Sequence, residues 1–257
     1  MRKMMVIGLL LLVPLAARAG RISLEVDSGD AYNIPTWLRI MQVNEDPIRV
    51  ESARHEDKPL RAGRISFEVN GGDAYNIPTW LRIMQVNEDP ISVKSARYED
   101  KPFYEAPYYN WRIGYWSGNR GWEVELVHHK LYLTNPPDEV QHFEVSHGYN
   151  LITINRAWER DNWVGRVGLG VVLGHPESEI RGQKLDWANS YPDGFYVGGP
   201  TGQLSLSRRI FLGHYVFINL EGKMTASYAE LPVANGTAYV PNLALHGLFG
   251  LGVMMGN

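Results

Sequence analysis

From Pro90 onward the chain alternates between apolar and polar residues in segments of strand length, and this period of two restricts the fold more than any other feature. In 110–116, Trp111, Ile113 and Tyr115 share one face, with Asn110, Arg112 and Gly114 on the other. In 121–133, Trp122, Val124 and Leu126 oppose Glu123 and Glu125. In 142–155, Phe143, Val145, Tyr149 and Leu151 oppose Glu144, Ser146, Gly148 and Asn150. In 163–175, Val167, Leu169, Val171 and Leu173 oppose Arg166, Gly168 and Gly170. Residues 195–210, 215–228 and 242–254 repeat the pattern. With 91–98 as the first, this reading predicts eight strands.

The connections alternate as well. Residues 117–120, 158–162 and 212–213 are short, whereas 99–107, 134–140, 176–194 and 231–240 are long and rich in Pro, Asp, Asn and Gly. On the apolar face, Tyr115, Trp122 and Trp163 fall near the short turns, and Tyr109, Tyr132, Phe143, Tyr196 and Tyr228 near the long loops. Aromatic rings at both ends of an apolar band suit the two headgroup levels of a bilayer. In hydrocarbon every backbone donor and acceptor needs a partner within the protein, and a closed barrel provides this without edges.

Residues 90–254 therefore resemble the small eight-stranded outer-membrane β-barrels. That superfamily includes adhesin-like and structural barrels and lipid A-modifying enzymes. The resemblance implies an all-β fold: a transmembrane, antiparallel, up-and-down barrel of eight strands, with short turns and both barrel ends in the periplasm and long loops outside. It implies lipid and lipopolysaccharide as surroundings, barrel-assembly machinery during insertion, and a bacterial outer-membrane location. It is architectural, and no family-specific catalytic motif matches. Such barrels commonly end in an aromatic residue, whereas this sequence ends Met254-Met255-Gly256-Asn257.

The start of the chain agrees with export. Arg2 and Lys3 precede an apolar run from Val6 to Ala16, and Ala17-Arg18-Ala19 has the form of a cleavage site, so 1–19 reads as a signal peptide. The run is too short for a transmembrane helix, which needs about 20 apolar residues. No cysteine is present, which rules out disulfides, thiol chemistry and thiolate metal sites. A net charge of −3 without a basic stripe leaves no footprint for nucleic acid. The glycines at 165, 168 and 170 lack the following helix of a phosphate-binding loop, and no cofactor is expected.

Residues 21–60 and 64–103 are near copies that differ at only seven of forty positions. So close a pair reads as a recent tandem duplication, with 20–63 surplus and 64–89 a periplasmic segment leading into a barrel over 90–257. Ile77, Trp80, Leu81 and Met84 have the spacing of an amphipathic helix at the membrane surface. The same residues also fit a strand through Leu81 and Ile83.

The polar face carries Arg112, Glu123, Glu125, Glu144, Arg166, Arg209, Glu221 and Lys223. Buried charges must be paired, so a neutral network filling the lumen is expected, with Glu221 paired to Lys223, Arg166 or Arg209. A polar ligand site or narrow channel is the functional rival. His129, His142, His175 and His246 map to the long-loop half, near Glu144 and Ser146. A Ser–His–Glu set there could attack an acyl ester of lipopolysaccharide, and His with Glu could instead ligate a metal. His128 and His129 point to opposite faces of one strand, and His175, before Pro176, reads as a loop anchor. Two functions follow: an outer-membrane barrel with a structural or surface-interaction role, or a lipid A-modifying enzyme (acyl hydrolase, transferase or oxidase) with catalytic candidates His129, His142, Glu144, Ser146 and His246 at the rim. A monomeric barrel is expected.

Overall fold

The computed structural model describes residues 63–104, 107–185 and 194–256. The leader and, apart from Gly63, the first repeat copy lie outside these residues. The described chain forms β1 (Arg64–Ile77), β2 (Thr79–Gln85), β3 (Ile91–Ala96), β4 (Tyr98–Glu99), β5 (Tyr109–Ser117), β6 (Arg120–Leu133), β7 (Val140–Arg160), β8 (Trp163–Gly174), β9 (Glu177–Ile180), β10 (Gln183–Lys184), β11 (Tyr196–Phe211), β12 (Val216–Val233) and β13 (Gly236–Met255).

Eight of these close into a ring, in the order β1, β5, β6, β7, β8, β11, β12, β13, with every neighbour antiparallel. The seam joins β1 to β13, from Ile65 opposite Met255 to Ile77 opposite Leu243. Toward the short-turn end of the eight ring strands buried and exposed residues alternate, so one face lines a lumen and the other faces outward. The outward face is apolar: Ile65, Phe67 and Val69 on β1, Val167 and Leu169 on β8, Leu204 and Leu206 on β11, and Phe249 and Leu251 on β13 are all exposed.

At the short-turn rim, Asp161 and Asn162 both take positive φ (51° and 63°), the backbone of a tight hairpin turn that short polar residues tolerate. Exposed Tyr115, Trp122, Trp158, Trp163 and Tyr215 ring this rim. Arg156 lies over Trp122 (5.0 Å) and Arg208 over Trp163 (5.4 Å), placing cations beside rings of headgroup depth. Above the belt, Tyr75, Trp80 and Tyr109 are exposed on the outer face, and Trp80 meets Tyr228 at 6.3 Å.

Several expectations need correction. The first barrel strand is β1, within 64–89, and not 91–98. Its Ser66, Glu68 and Asn70 face inward between outward Ile65, Phe67 and Val69, so residues 64–77 belong to the barrel wall. The helix proposed around 77–84 is the strand β2: Leu81 and Ile83 are buried, Trp80 and Met84 exposed. The extension of β13 past the belt offers β2 a backbone partner, with Arg82 opposite Tyr239, and β3 pairs with β2 in turn. Residues 231–240 are not a long loop, because β12 and β13 stay paired until a turn at Ala234-Asn235. The facing of 143–151 is reversed: Phe143, Val145, Tyr149 and Leu151 are buried inside, so Phe143 belongs to no girdle and Glu144 is not in the lumen.

That reversal reflects what fills the upper barrel. Beyond the belt β6, β7, β12 and β13 continue, joined by β2, β3, β4, β9 and β10. They enclose one apolar core that includes Leu81, Ile83, Val127, Leu131, Phe143, Tyr149, Leu151, Ile180, Leu231 and Val240. Apolar side chains in that region point inward because the lumen there is dry and packed.

Candidate functional site in the lumen and at the long-loop rim

The lumen is filled in layers. Nearest the short turns, Trp116, Ala157, Val164, Phe217 and Met254 pack together. Glycines make room for the rings: a Cβ on Gly121 would lie 2.7 Å from the Trp116 ring, and one on Gly252 would overlap that of Phe217. Trp116 Nε1 donates to Ser66 Oγ at 2.9 Å. The Arg209 guanidinium lies over Trp116 (4.6 Å) and Phe217 (4.9 Å), joining this layer to the next.

The middle layer is ionic. Of the eight lumen charges read from the sequence, Arg112, Glu123, Glu125, Arg166, Arg209, Glu221 and Lys223 are buried there, and Glu144 is not. The one missed is Glu68, which lies on the segment taken as periplasmic. Glu68 accepts from Arg112 Nη1 at 2.6 Å and Arg209 Nη2 at 2.5 Å, with Arg166 Nη2 at 3.4 Å. Arg166 Nε donates to Glu123 at 2.7 Å, and Lys223 to Glu125. Glu221 meets Arg112 Nη2 at 2.9 Å, with the expected partners Lys223 (Nζ at 3.5 Å) and Arg166 (Nη1 at 3.7 Å) farther off, so its chief partner is a lumen base that the sequence did not pair with it. Four carboxylates (68, 123, 125, 221) balance four cations (112, 166, 209, 223). Amides satisfy remaining valences, as Asn110, Asn155 and Gln203 donate to Glu125 at 2.5, 2.7 and 2.5 Å. Such a layer avoids the several kcal/mol that an unpaired buried charge costs.

Above it lie His246 and His129, whose rings are 5.2 Å apart. Both His246 nitrogens are engaged, Nδ1 with Tyr108 Oη (2.9 Å) and Nε2 with Thr225 Oγ1 (2.8 Å). His129 is buried with no hydrogen bond to either nitrogen among the described residues, and its Nε2 is 3.8 Å from Asp100 Oδ1. Asp100 Oδ1 accepts the Lys130 N–H at 2.7 Å. Burial pushes the Asp100 carboxyl up to about 7, against the lowering effect of that hydrogen bond and of the Lys130 charge.

The remaining catalytic candidates are elsewhere. His142 is half-exposed and its Nε2 lies 3.2 Å from Glu144 on the outer face of β7. Ser146 Oγ donates to Glu177 Oε1 at 3.3 Å and lies 3.4 Å from His147 Nδ1, while His147 Nδ1 is 2.7 Å from the same Glu177 oxygen. Serine and carboxylate thus crowd one imidazole nitrogen. A nucleophile relay needs them on opposite nitrogens. The five sequence candidates split between lumen and outer rim and form no joint site. His147 and Glu177, which the sequence reading did not single out, are brought together only by the pairing of β9 with β7.

An antiparallel ring of eight strands, an apolar outer belt with aromatic rims and a charged, filled lumen together define a transmembrane β-barrel of the outer-membrane type. No family model and no curated protein matches the chain. Among solved structures, it is similar to the outer membrane protein AlkL in lipid bilayers, at 15% identity over 84% of this chain and 97% of that one, with a TM-score of 0.42. It is also similar to the outer membrane protein OprG of Pseudomonas aeruginosa (12% identity, 76% and 96% covered, TM-score 0.38). Ail, the attachment invasion locus protein of Yersinia pestis, is another (12% identity, 76% and 99%, TM-score 0.36). Identities this low transfer no role to the chain, and the class rests on its own strand pairing.

Proposed function

We propose that this protein sits in a Gram-negative outer membrane and has a structural or surface-interaction role, with its long-loop end turned outward. The observation that carries this reading is the packed apolar core above the lipid belt, built on β6, β7, β12 and β13. A barrel whose strands continue into a dense β-platform presents a rigid surface. The lumen beneath is occupied in succession by the Trp116–Phe217 layer, the ionic layer and that core, which disfavours a conducting role. Lipid and lipopolysaccharide contact the belt, and the assembly machinery acts during insertion.

An epitope inserted in the β2–β3 turn, at 86–90, tests the reading. Antibody binding to intact cells is expected. Binding only after permeabilisation of the outer membrane would place the platform in the periplasm and overturn it. The enzyme alternative is tested by mass spectrometry of lipid A with and without the protein: an unchanged profile favours the present reading, and a changed acyl mass the enzyme.

A further inference from the structure

At the long-loop rim, where β8 ends beside the middle of β7, three potential ligands meet. The residue after His147, Gly148, takes φ 130°, a conformation open to glycine, and a Cβ there would overlap the Asn150 side chain. This irregularity turns His147 outward, where its side chain is 60% exposed. The Gly148 carbonyl accepts the His175 N–H at 3.0 Å, which ties the end of β8 to this point. Pro176 holds His175 in extended backbone, and Glu177 then opens β9 opposite Glu144. The rings of His147 and His175 are 4.8 Å apart.

We infer that His147, His175 and Glu177 form a binding site for a divalent transition-metal cation of the zinc class. One donor atom from each lies within 4.8 Å of the others. Zinc–donor distances of about 2.0–2.1 Å place tetrahedral ligands about 3.4 Å apart, so small side-chain rotations close the set. Two imidazoles and one carboxylate suit zinc rather than calcium or magnesium, which prefer oxygen ligands. A second observation also calls for a cation: Glu144 and Glu177 are direct cross-strand partners on the outer face, with Glu179 following on the same face of β9. Like charges directly opposite destabilise a ladder, and a bound dication removes that penalty. Three protein ligands leave a fourth position open to water or an external ligand, beside the Ser146 hydroxyl.

The test is calorimetric titration of the purified, chelator-stripped mature protein in detergent with Zn²⁺, and in parallel with Ca²⁺ and Mg²⁺. One Zn²⁺ per chain is expected, with far weaker Ca²⁺ and Mg²⁺ binding. His147→Ala, at an exposed position, should leave heat-modifiable migration intact and weaken Zn²⁺ binding by at least about tenfold, the loss that removal of even an outer-shell partner brings. Glu177→Gln should do the same, while His142→Ala on the same face should not. Absence of a stoichiometric site, unchanged affinity in folded His147→Ala, or equal affinity for Ca²⁺ would each overturn the inference.

Discussion

Arg112 and Glu221 stand on strands that do not pair, β5 and β12, yet Arg112 Nη2 donates across the lumen to both carboxylate oxygens of Glu221, at 3.0 and 2.9 Å. The same guanidinium bonds Glu68 and Glu125, so one side chain holds three strands besides its own. Replacing Glu221 by Leu leaves part of that charge uncompensated in a dry lumen. The expected loss is roughly 3–5 kcal/mol, as for breaking one half of a buried pair, read from urea unfolding of the folded barrel in detergent. A neutral substitution would mean that water enters the layer.

The second repeat copy supplies the strand that closes the barrel, so deletion of residues 21–63 should leave an assembled, heat-modifiable protein. Failure of that deletion to insert would give the first copy a role of its own. In the barrel wall, the lumen-facing Asn70 of the second copy stands where the first has Asp27. Asn70 Nδ2 donates to Asn110 Oδ1 at 2.7 Å, and its Oδ1 accepts from Asn219 at 3.0 Å. An ionised carboxylate cannot donate. Asn70→Asp should therefore destabilise the barrel by about 1–3 kcal/mol, the cost of an unsatisfied buried polar group, with Asn70→Gln or Ser less affected.

Asp100 predicts a pH dependence above the belt. Its folded carboxyl titrates at about 7, against an ordinary value of 3.8. A raised folded value means that the folded segment holds the proton more tightly than the unfolded one. The stabilisation is full below the ordinary value and is lost as pH rises through about 7. Lys130, His129, Asp73 and Tyr108 are charged or titratable groups around it. Hydrogen exchange corrected for intrinsic rates should show less protection over 98–104 at pH 8 than at pH 5. Asp100→Asn should flatten the difference. Equal protection at the two values in the unaltered protein would contradict the assignment.

Gly121 faces the Trp116 ring so closely that a Cβ meets ring carbons at 2.7–2.9 Å. Gly121→Ala should shift the indole and cost about 1–3 kcal/mol, the usual effect of overpacking. The outward Gly222, with nothing within 4 Å of its Cβ position, should accept Ala at little cost. Equal stability of the two variants would mean that the Trp116 layer is loosely packed.

Much of this was legible along the chain because the strand period is two. Arg112, Glu123, Glu125, Arg166, Glu221 and Lys223 each sit between apolar residues or glycine on the outward face, and Arg209 shares the phase of Ser205 and Ser207 opposite Leu204 and Leu206, so each charge turns inward. The rule failed at 143–151, where apolar residues alternate just as cleanly but turn inward. Periodicity separates two faces without saying which is inside. Glu68 was missed for a different reason. Its strand lies in the repeat, where helical spacing at Ile77, Trp80, Leu81 and Met84 competed with strand alternation.

The sequence by itself determined the class of architecture: alternating strands, tight turns such as Asp161-Asn162, and a set of interior charges that could only be buried as pairs. Those are local properties, written in neighbouring residues. Tertiary structure alone decided that Arg64–Ile77 closes the ring against β13, that Arg112 reaches Glu221, and that His147 and His175 meet Glu177 at the rim. The physical reason is common to all three. Each depends on register between segments far apart in the chain, and register is set by closing the barrel as a whole, with every backbone group paired and every lumen charge neutralised.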